Sequence, residues 1–153
     1  MTTYIENVVM IERPREEVFG FLADLENVPS WDPAIEATWK TSPSSVGVGT
    51  TYRQIRSAPK RSEEVLEVTT YDPPHRLIID GEIGPFRARI GYALEVAAEA
   101  TRLTNWVELE PPSIISRVVV PLAASQIKAA LASNLERLKR ILEDTRQTSL
   151  GTE

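Results

Sequence analysis

The 153-residue sequence predicts an α+β domain in which a seven-stranded antiparallel sheet curves around one long C-terminal helix, with two short helices after the first strand. Three observations carry that expectation. The last third repeats apolar residues at helical spacing: Val120, Ala124, Ile127, Leu131, Leu135, Leu138 and Leu142 fall on one stripe. The middle of the chain is a series of short alternating segments separated by Gly/Pro/Asp turns, which is hairpin spacing. The stretch after the first strand switches briefly to helical chemistry.

In chain order, Thr2 to Glu12 is rich in β-branched residues and reads as a strand. Pro14 followed by Arg15, Glu16 and Glu17 suits a helix start, and Val18, Phe19 and Leu22 give that helix an apolar face to about Ala23. A second short helix spans Leu25 to Trp31 and stops at Asp32-Pro33, where the residue before proline disfavours helix. The remaining strands are Ala34 to Lys40, Thr50 to Arg56, Glu63 to Tyr71, Arg76 to Glu82, Phe86 to Val96 and Thr101 to Glu110. In the sixth strand Phe86, Ala88, Ile90, Tyr92, Leu94 and Val96 share a face. The long helix is expected from about Ser113 to Glu143, started by Pro111-Pro112 and bent near Pro121. Its polar face carries Lys128, Ser133, Glu136, Arg137, Lys139, Arg140 and Glu143, with Glu136 and Arg140 spaced as an i,i+4 ion pair. At 1.5 Å per residue such a helix runs roughly 50 Å if straight, so it lies along the whole domain and needs the sheet to cover its stripe.

Composition limits the function classes. Hydrophobic content of 42% with 25% charged residues fits one soluble globular domain, placed at residues 1–145 with a flexible C-terminal tail at 146–153. A net charge of −5 argues against nucleic-acid and anionic-membrane binding. Without cysteine there is no disulfide, thiolate metal site or cysteine nucleophile, and a single histidine excludes a multi-histidine metal site. No apolar run reaches 18 residues and no leader pattern is visible. The expected location is therefore cytoplasmic, with no cofactor, no stable membrane insertion, and a monomer or homodimer.

The chain resembles a known family at this point. The opening strand followed by IERPREEVFGFLADLENVPSWDP (Ile11 to Pro33) carries the resemblance, in its Pro14-to-Phe19 and Asp24-to-Trp31 stretches. Val46-Gly47-Val48-Gly49-Thr50, Tyr71-Asp72-Pro73-Pro74-His75-Arg76-Leu77, Thr101-Arg102-Leu103-Thr104 and the closing LERLKRILE extend it over nearly the whole chain. Together these are similar to the helix-grip fold of the START/Bet v 1-like (SRPBCC) superfamily, in its bacterial polyketide cyclase/dehydrase branch. The resemblance implies a cavity between sheet and helix that takes an apolar or aromatic small molecule. It leaves two readings open: a cofactor-free aromatic cyclase/dehydratase, or a lipid or isoprenoid carrier without catalysis.

Candidate ligand-binding residues are Trp31, Tyr52, Gln54, Tyr92, Asn105, Trp106, Leu131 and Asn134. The aromatics offer an apolar body with a polar tip, although any single one is as well explained by core packing. If Tyr52 faces inward, so do Gln54 and Arg56. Asn105 and Trp106 are strand neighbours, so only one of them faces the cavity. Asn134 stands at the edge of the helical stripe. Asp24 and Asp32 read as cap or turn residues rather than a paired acid and base. Arg53, Arg56, Arg87 and Arg89 read as a solvated sheet exterior rather than a basic patch (for Arg56 against the inward register just given), and His75 as a solvated turn residue. No catalytic residue is assigned.

Overall fold

The computed structural model describes residues 2–110 and 116–151, with the side chains of the last helix described from 123 to 144. Strand β1 (Thr3–Ile11) leads into helix α1 (Arg15–Ala23), a 3₁₀ turn (Leu25–Asn27) and the short helix α2 (Val28–Trp31). Six strands follow: β2 (Ile35–Lys40), β3 (Thr51–Arg56), β4 (Ser62–Asp72), β5 (Arg76–Ile83), β6 (Phe86–Ala97) and β7 (Ala100–Glu110). Helix α3 (Ser116–Gly151) closes the order. The sheet runs β1-β7-β6-β5-β4-β3-β2 with every pair antiparallel. This is the helix-grip arrangement of seven curved strands, two short helices after β1 and a long C-terminal helix.

The curvature has local causes. Register shifts between Ile35 and Ala37 in β2, and between Val68 and Thr70 in β4, add twist where the sheet bends. Edge strand β1 is fastened to α3 by side chains on the strand's free main-chain groups. Lys139 Nζ donates to Met10 O at 2.6 Å, and Glu143 Oε2 accepts from Glu12 N at 2.9 Å. Lower down, Asn7 Nδ2 donates to Lys128 O at 3.3 Å. Side-chain contacts of this kind occupy part of an otherwise open edge and hinder further strand addition.

The core falls into two parts. The larger joins α1, the short helical turns and the second half of α3, through Leu135, Leu138 and Leu142, to Ile11, Leu77, Leu94 and Leu103. The smaller gathers Ile5, Phe86, Ala88, Val107 and Leu109 beneath Ala123, Ala124, Ile127 and Leu131.

Several expectations need correction. Helix α3 continues to Gly151, past the predicted end at Glu143 and into the stretch read as a tail. The TRQTSL segment contains no breaker, and glycine is the first residue with little helix preference. The expected helix start at Ser113 lies outside the described residues, as do the side chains at the expected bend near Pro121. Glu136 and Arg140 do not form an ion pair: Arg140 Nε donates instead to the Glu136 carbonyl at 3.4 Å, while Lys139 pairs with Glu143 at 3.4 Å. On the outer face of the sheet Arg53 pairs with Glu63 and Arg89 with Asp80.

Candidate ligand-binding site

Between the sheet and the first half of α3 lies a cavity of about 590 Å³, within the range of small-molecule sites. Its roof is Ala123, Ile127, Ala130, Leu131, Asn134 and Arg137 of α3, and Trp31 and Asp32 close one end. Strand alternation decides the floor. Gln54 and Arg56 come from β3, Leu66 from β4, Ile79 and Ile83 from β5, Ile90 and Tyr92 from β6, and Val107 from β7. Ala58-Pro59 and Gly84-Pro85 form its rim. The wall is apolar on the β5–β7 side and polar toward α2, β3 and the middle of α3.

Two polar groups of different kind stand on that polar side. The first is self-contained. Glu64 is fully buried, and its carboxylate accepts from Gln54 Nε2 at 2.7 Å, Arg56 Nε at 2.9 Å, Ser62 Oγ at 3.3 Å and the Gly84 N–H at 2.9 Å. Four donors on one carboxylate meet the cost of burying the charge and tie the β5–β6 turn at the rim to β3 and β4.

The second group is the line Asp32, Asn134 and Arg137. The Asp32 carboxylate accepts from the Ala34 N–H at 3.0 Å, the turn role its sequence position suggests. Burial pushes this carboxyl above its ordinary range. The Ala34 N–H, the Arg56 charge and a hydrogen bond with Asn134 pull it partly back, and Glu64 raises it again. Arg137 Nη1 donates to Asn134 Oδ1 at 3.2 Å. The Tyr92 hydroxyl stands nearby: burial and then the Asp32 charge push it well above the usual phenol range, so it stays protonated. The Trp31 indole N–H is buried without a hydrogen-bond partner among the described residues. Among those residues no three of His, Asp or Glu are placed to hold a metal ion.

The eight candidate residues separate clearly. Trp31, Gln54, Tyr92, Leu131 and Asn134 line the cavity. Tyr52 points inward and is buried, yet does not reach the cavity. It packs in the main core beside the Asp24–Glu26 turn, whose charges, after burial itself, raise its hydroxyl. Asn105 also points inward, and there its Nδ2 donates to Gly91 O at 3.1 Å within the sheet. Trp106 lies on the opposite face, stacked on Tyr4 with ring centroids 6.4 Å apart. It also covers Gly91, where a Cβ would collide with the indole ring. The register therefore turns Asn105 in and Trp106 out.

Three contributors were not singled out in the sequence. Glu64 shares the inward face of β4 with Leu66 and Val68, and that alternation is the signal for it. Arg137 was placed on the solvent face but is half-buried at the cavity, three residues beyond Asn134 on the same helical row. Asp32 was read as a turn residue in preference to an acid–base pair with Asp24, because its burial comes from elements distant in sequence.

These features define a helix-grip protein with a partly open, one-sidedly polar cavity. The chain belongs to the polyketide cyclase/dehydrase and lipid transport family, whose pattern it matches over residues 2–143. Solved structures share its fold. TTHA0849 from Thermus thermophilus superposes with a TM-score of 0.76 at 19% identity, over 94% of this chain and 99% of that one. The Zhui aromatase/cyclase from Streptomyces sp. R1128 gives 0.71 at 13% identity, over 92% and 96%. The di-domain ARO/CYC StfQ of the steffimycin biosynthetic pathway gives 0.79 at 9% identity, over 96% of this chain and 53% of that one. No curated protein matches the chain in sequence. No helix among the described residues is long and apolar enough to cross a membrane.

Proposed function

We propose that this protein binds a hydrophobic or aromatic small molecule in the cavity under α3, and that its chemistry, where it has any, is a cofactor-free cyclisation or dehydration of a polyketide-like compound. One observation carries the reading. An apolar wall of Ile83, Phe86, Ile90, Val107, Ile127 and Leu131 faces the line Asp32–Asn134–Arg137, with the Tyr92 hydroxyl beside it. A pocket meant only to shield a hydrocarbon needs no such line, since each buried polar group carries a desolvation cost. Orientation of a flexible chain against fixed donors is a sufficient catalytic device for ring closure. Elimination of water needs a proton for the departing hydroxyl, and a carboxyl whose neutral form is favoured by burial can supply one. The names of the structural neighbours Zhui and StfQ, an aromatase/cyclase and an ARO/CYC, support the same class of chemistry.

The test is a fluorescence titration with ANS, flavonoids, fatty acids and polyketide-like phenols. Trp31 lines the cavity, whereas Trp39 and Trp106 do not. A saturable one-to-one change is expected that disappears in Trp31→Phe and persists in Trp106→Phe. No saturable response from a folded sample would defeat the proposal. Carriage is separated from catalysis by incubating the protein with a linear poly-β-ketone: a carrier returns it unchanged, and the cyclase reading predicts a ring product lost in Asp32→Asn.

A further inference from the structure

We infer that the polar side of the cavity is a head-group subsite for an anionic oxygen, anchored by Arg137, so that the ligand is an amphiphilic weak acid with an apolar or aromatic body. This deepens the cavity-binding reading and rests on it.

The inference comes from comparing arginines. Arg13, Arg53, Arg56, Arg61 and Arg89 each meet a carboxylate, at 2.6, 2.6, 2.9, 2.8 and 2.8 Å. Among the described residues the exposed Arg76, Arg87, Arg102 and Arg140 and the half-buried Arg15 meet none, but none of these five lines the cavity. Arg137 lines the cavity and is half-buried, yet among the described residues it meets no carboxylate. Among the described residues its hydrogen bond goes to the neutral amide oxygen of Asn134. A chain of net charge −5 has carboxylates to spare, and its other cavity arginine, Arg56, is matched to Glu64. A partly desolvated guanidinium left unmatched on a cavity wall is costly when empty and strongly favourable to an incoming anion.

The surrounding groups point the same way. The Glu64 carboxylate is saturated by four donors and offers nothing to a ligand. The Trp31 N–H is a buried donor without an acceptor among the described residues. Burial raises the Asp32 carboxyl above its ordinary range, and that carboxyl already accepts from the Ala34 N–H at 3.0 Å. The group without a counter-charge on this side is therefore the Arg137 guanidinium, and the complementary ligand group is an acceptor carrying negative charge. A carboxylate or an acidic phenolate or enolate supplies it; a cationic head would meet Arg137 directly.

The experiment uses three naphthalene probes of matched shape at neutral pH: 2-naphthoate, neutral 2-naphthol and cationic 2-naphthylmethylamine. Each is titrated into the full chain and into Arg137→Gln and Arg137→Lys, both checked for folding by circular dichroism. Wild type is expected to bind naphthoate about tenfold tighter than naphthol, with the amine weakest. Arg137→Gln should remove that preference, lowering naphthoate affinity about tenfold more than naphthol affinity, and Arg137→Lys should keep part of it. Addition of an acidic nitronaphthol, ionised at neutral pH, separates phenolate from carboxylate recognition. Equal binding of naphthoate and naphthol by wild type, or a preference that survives Arg137→Gln, overturns the anion subsite while the cavity reading stands. No saturable binding of any probe overturns both.

Discussion

The two halves of α3 carry the same kind of apolar stripe and meet different surroundings. In the second half Leu135, Leu138 and Leu142 are 3%, 0% and 6% exposed and lie in the main core. In the first half Ala123, Ala124, Ile127 and Leu131 are only half-buried, and Gln126, Ala129 and Ala130 are exposed. The side chains explain the contrast. Leucine every three or four residues fills the space down to the sheet, whereas alanine at 123 and 130, both on the cavity wall, leaves it open. One helix thus serves as a core element and as a cavity roof, and the change falls at Asn134, where the stripe turns polar.

The largest test of that contrast is a pair of truncations. Leu138→Ala should cost about 2–5 kcal/mol of unfolding free energy, because the removed atoms leave a void in a filled core. Leu131→Ala, which only enlarges an existing cavity, should cost about 1 kcal/mol or less. Urea denaturation of both variants measures the difference. Equal costs would mean that the first half of α3 sits on a closed core.

A smaller effect separates binding from stability. Ala130 lines the cavity and is exposed, so Ala130→Trp adds volume at the cavity wall rather than in a packed core. The thermal midpoint should hardly shift, a change within about 0.5 kcal/mol. Affinity for a naphthalene probe should fall by about tenfold or more, which corresponds to about 1.4 kcal/mol. Unchanged affinity would place the ligand elsewhere.

The sequence carried the elements well and the cavity only in outline. All seven strands, both short helices and the long helix are legible, because alternation at two, repetition at 3.6 and proline-glycine punctuation are local signals. The inward set on β3 follows from the same rule: with Tyr52 inside, Gln54 and Arg56 are inside too. What alternation cannot say is how far an inward side chain stands from its opposite neighbour. Tyr52 and Asn105 face inward yet stop in the core, while Gln54 and Tyr92 reach the cavity. That distinction depends on where α3 lifts away from the sheet, a distance between segments far apart in the chain. Arg137 escaped notice for a related reason. A residue at the margin of a helical stripe faces solvent or a cavity according to what packs beside it, and here that is the α2–β2 corner.

Asp32 offers a further test, of the polar boundary between the two halves of α3. Its carboxyl is raised in the folded protein by burial, against the opposing pull of Arg56 and Asn134, with Glu64 and Tyr92 as its other neighbours. A carboxyl with a folded pKa above its unfolded value binds its proton more tightly when folded. Its contribution to stability is complete below the ordinary carboxylate range and is lost as pH rises through the raised value. Asp32→Asn keeps an oxygen for the Ala34 N–H and removes the titration. The variant should therefore gain stability relative to wild type as pH rises from the acid range to neutral. A difference that stays constant with pH would show that Asp32 is not held toward its neutral form.

The smallest effect is expected at the lone histidine, which tests whether chemistry is confined to the cavity. His75 sits in the β4–β5 turn with its side chain 55% exposed and its Nδ1 3.8 Å from Asp72 Oδ1. The backbone alone makes its contribution to the fold: the His75 N–H donates to Asp72 O at 2.7 Å, and its carbonyl accepts from Leu94 N at 2.9 Å. Neither bond needs an imidazole, and the ring is not part of the cavity wall. His75→Ala should leave probe binding, and any cyclisation or dehydration, within about a factor of three, under about 0.7 kcal/mol. A loss of about a hundredfold, or about 2.7 kcal/mol, would require proton transfer at the turn between β4 and β5, and the polar side of the cavity would then no longer account for the protein's chemistry.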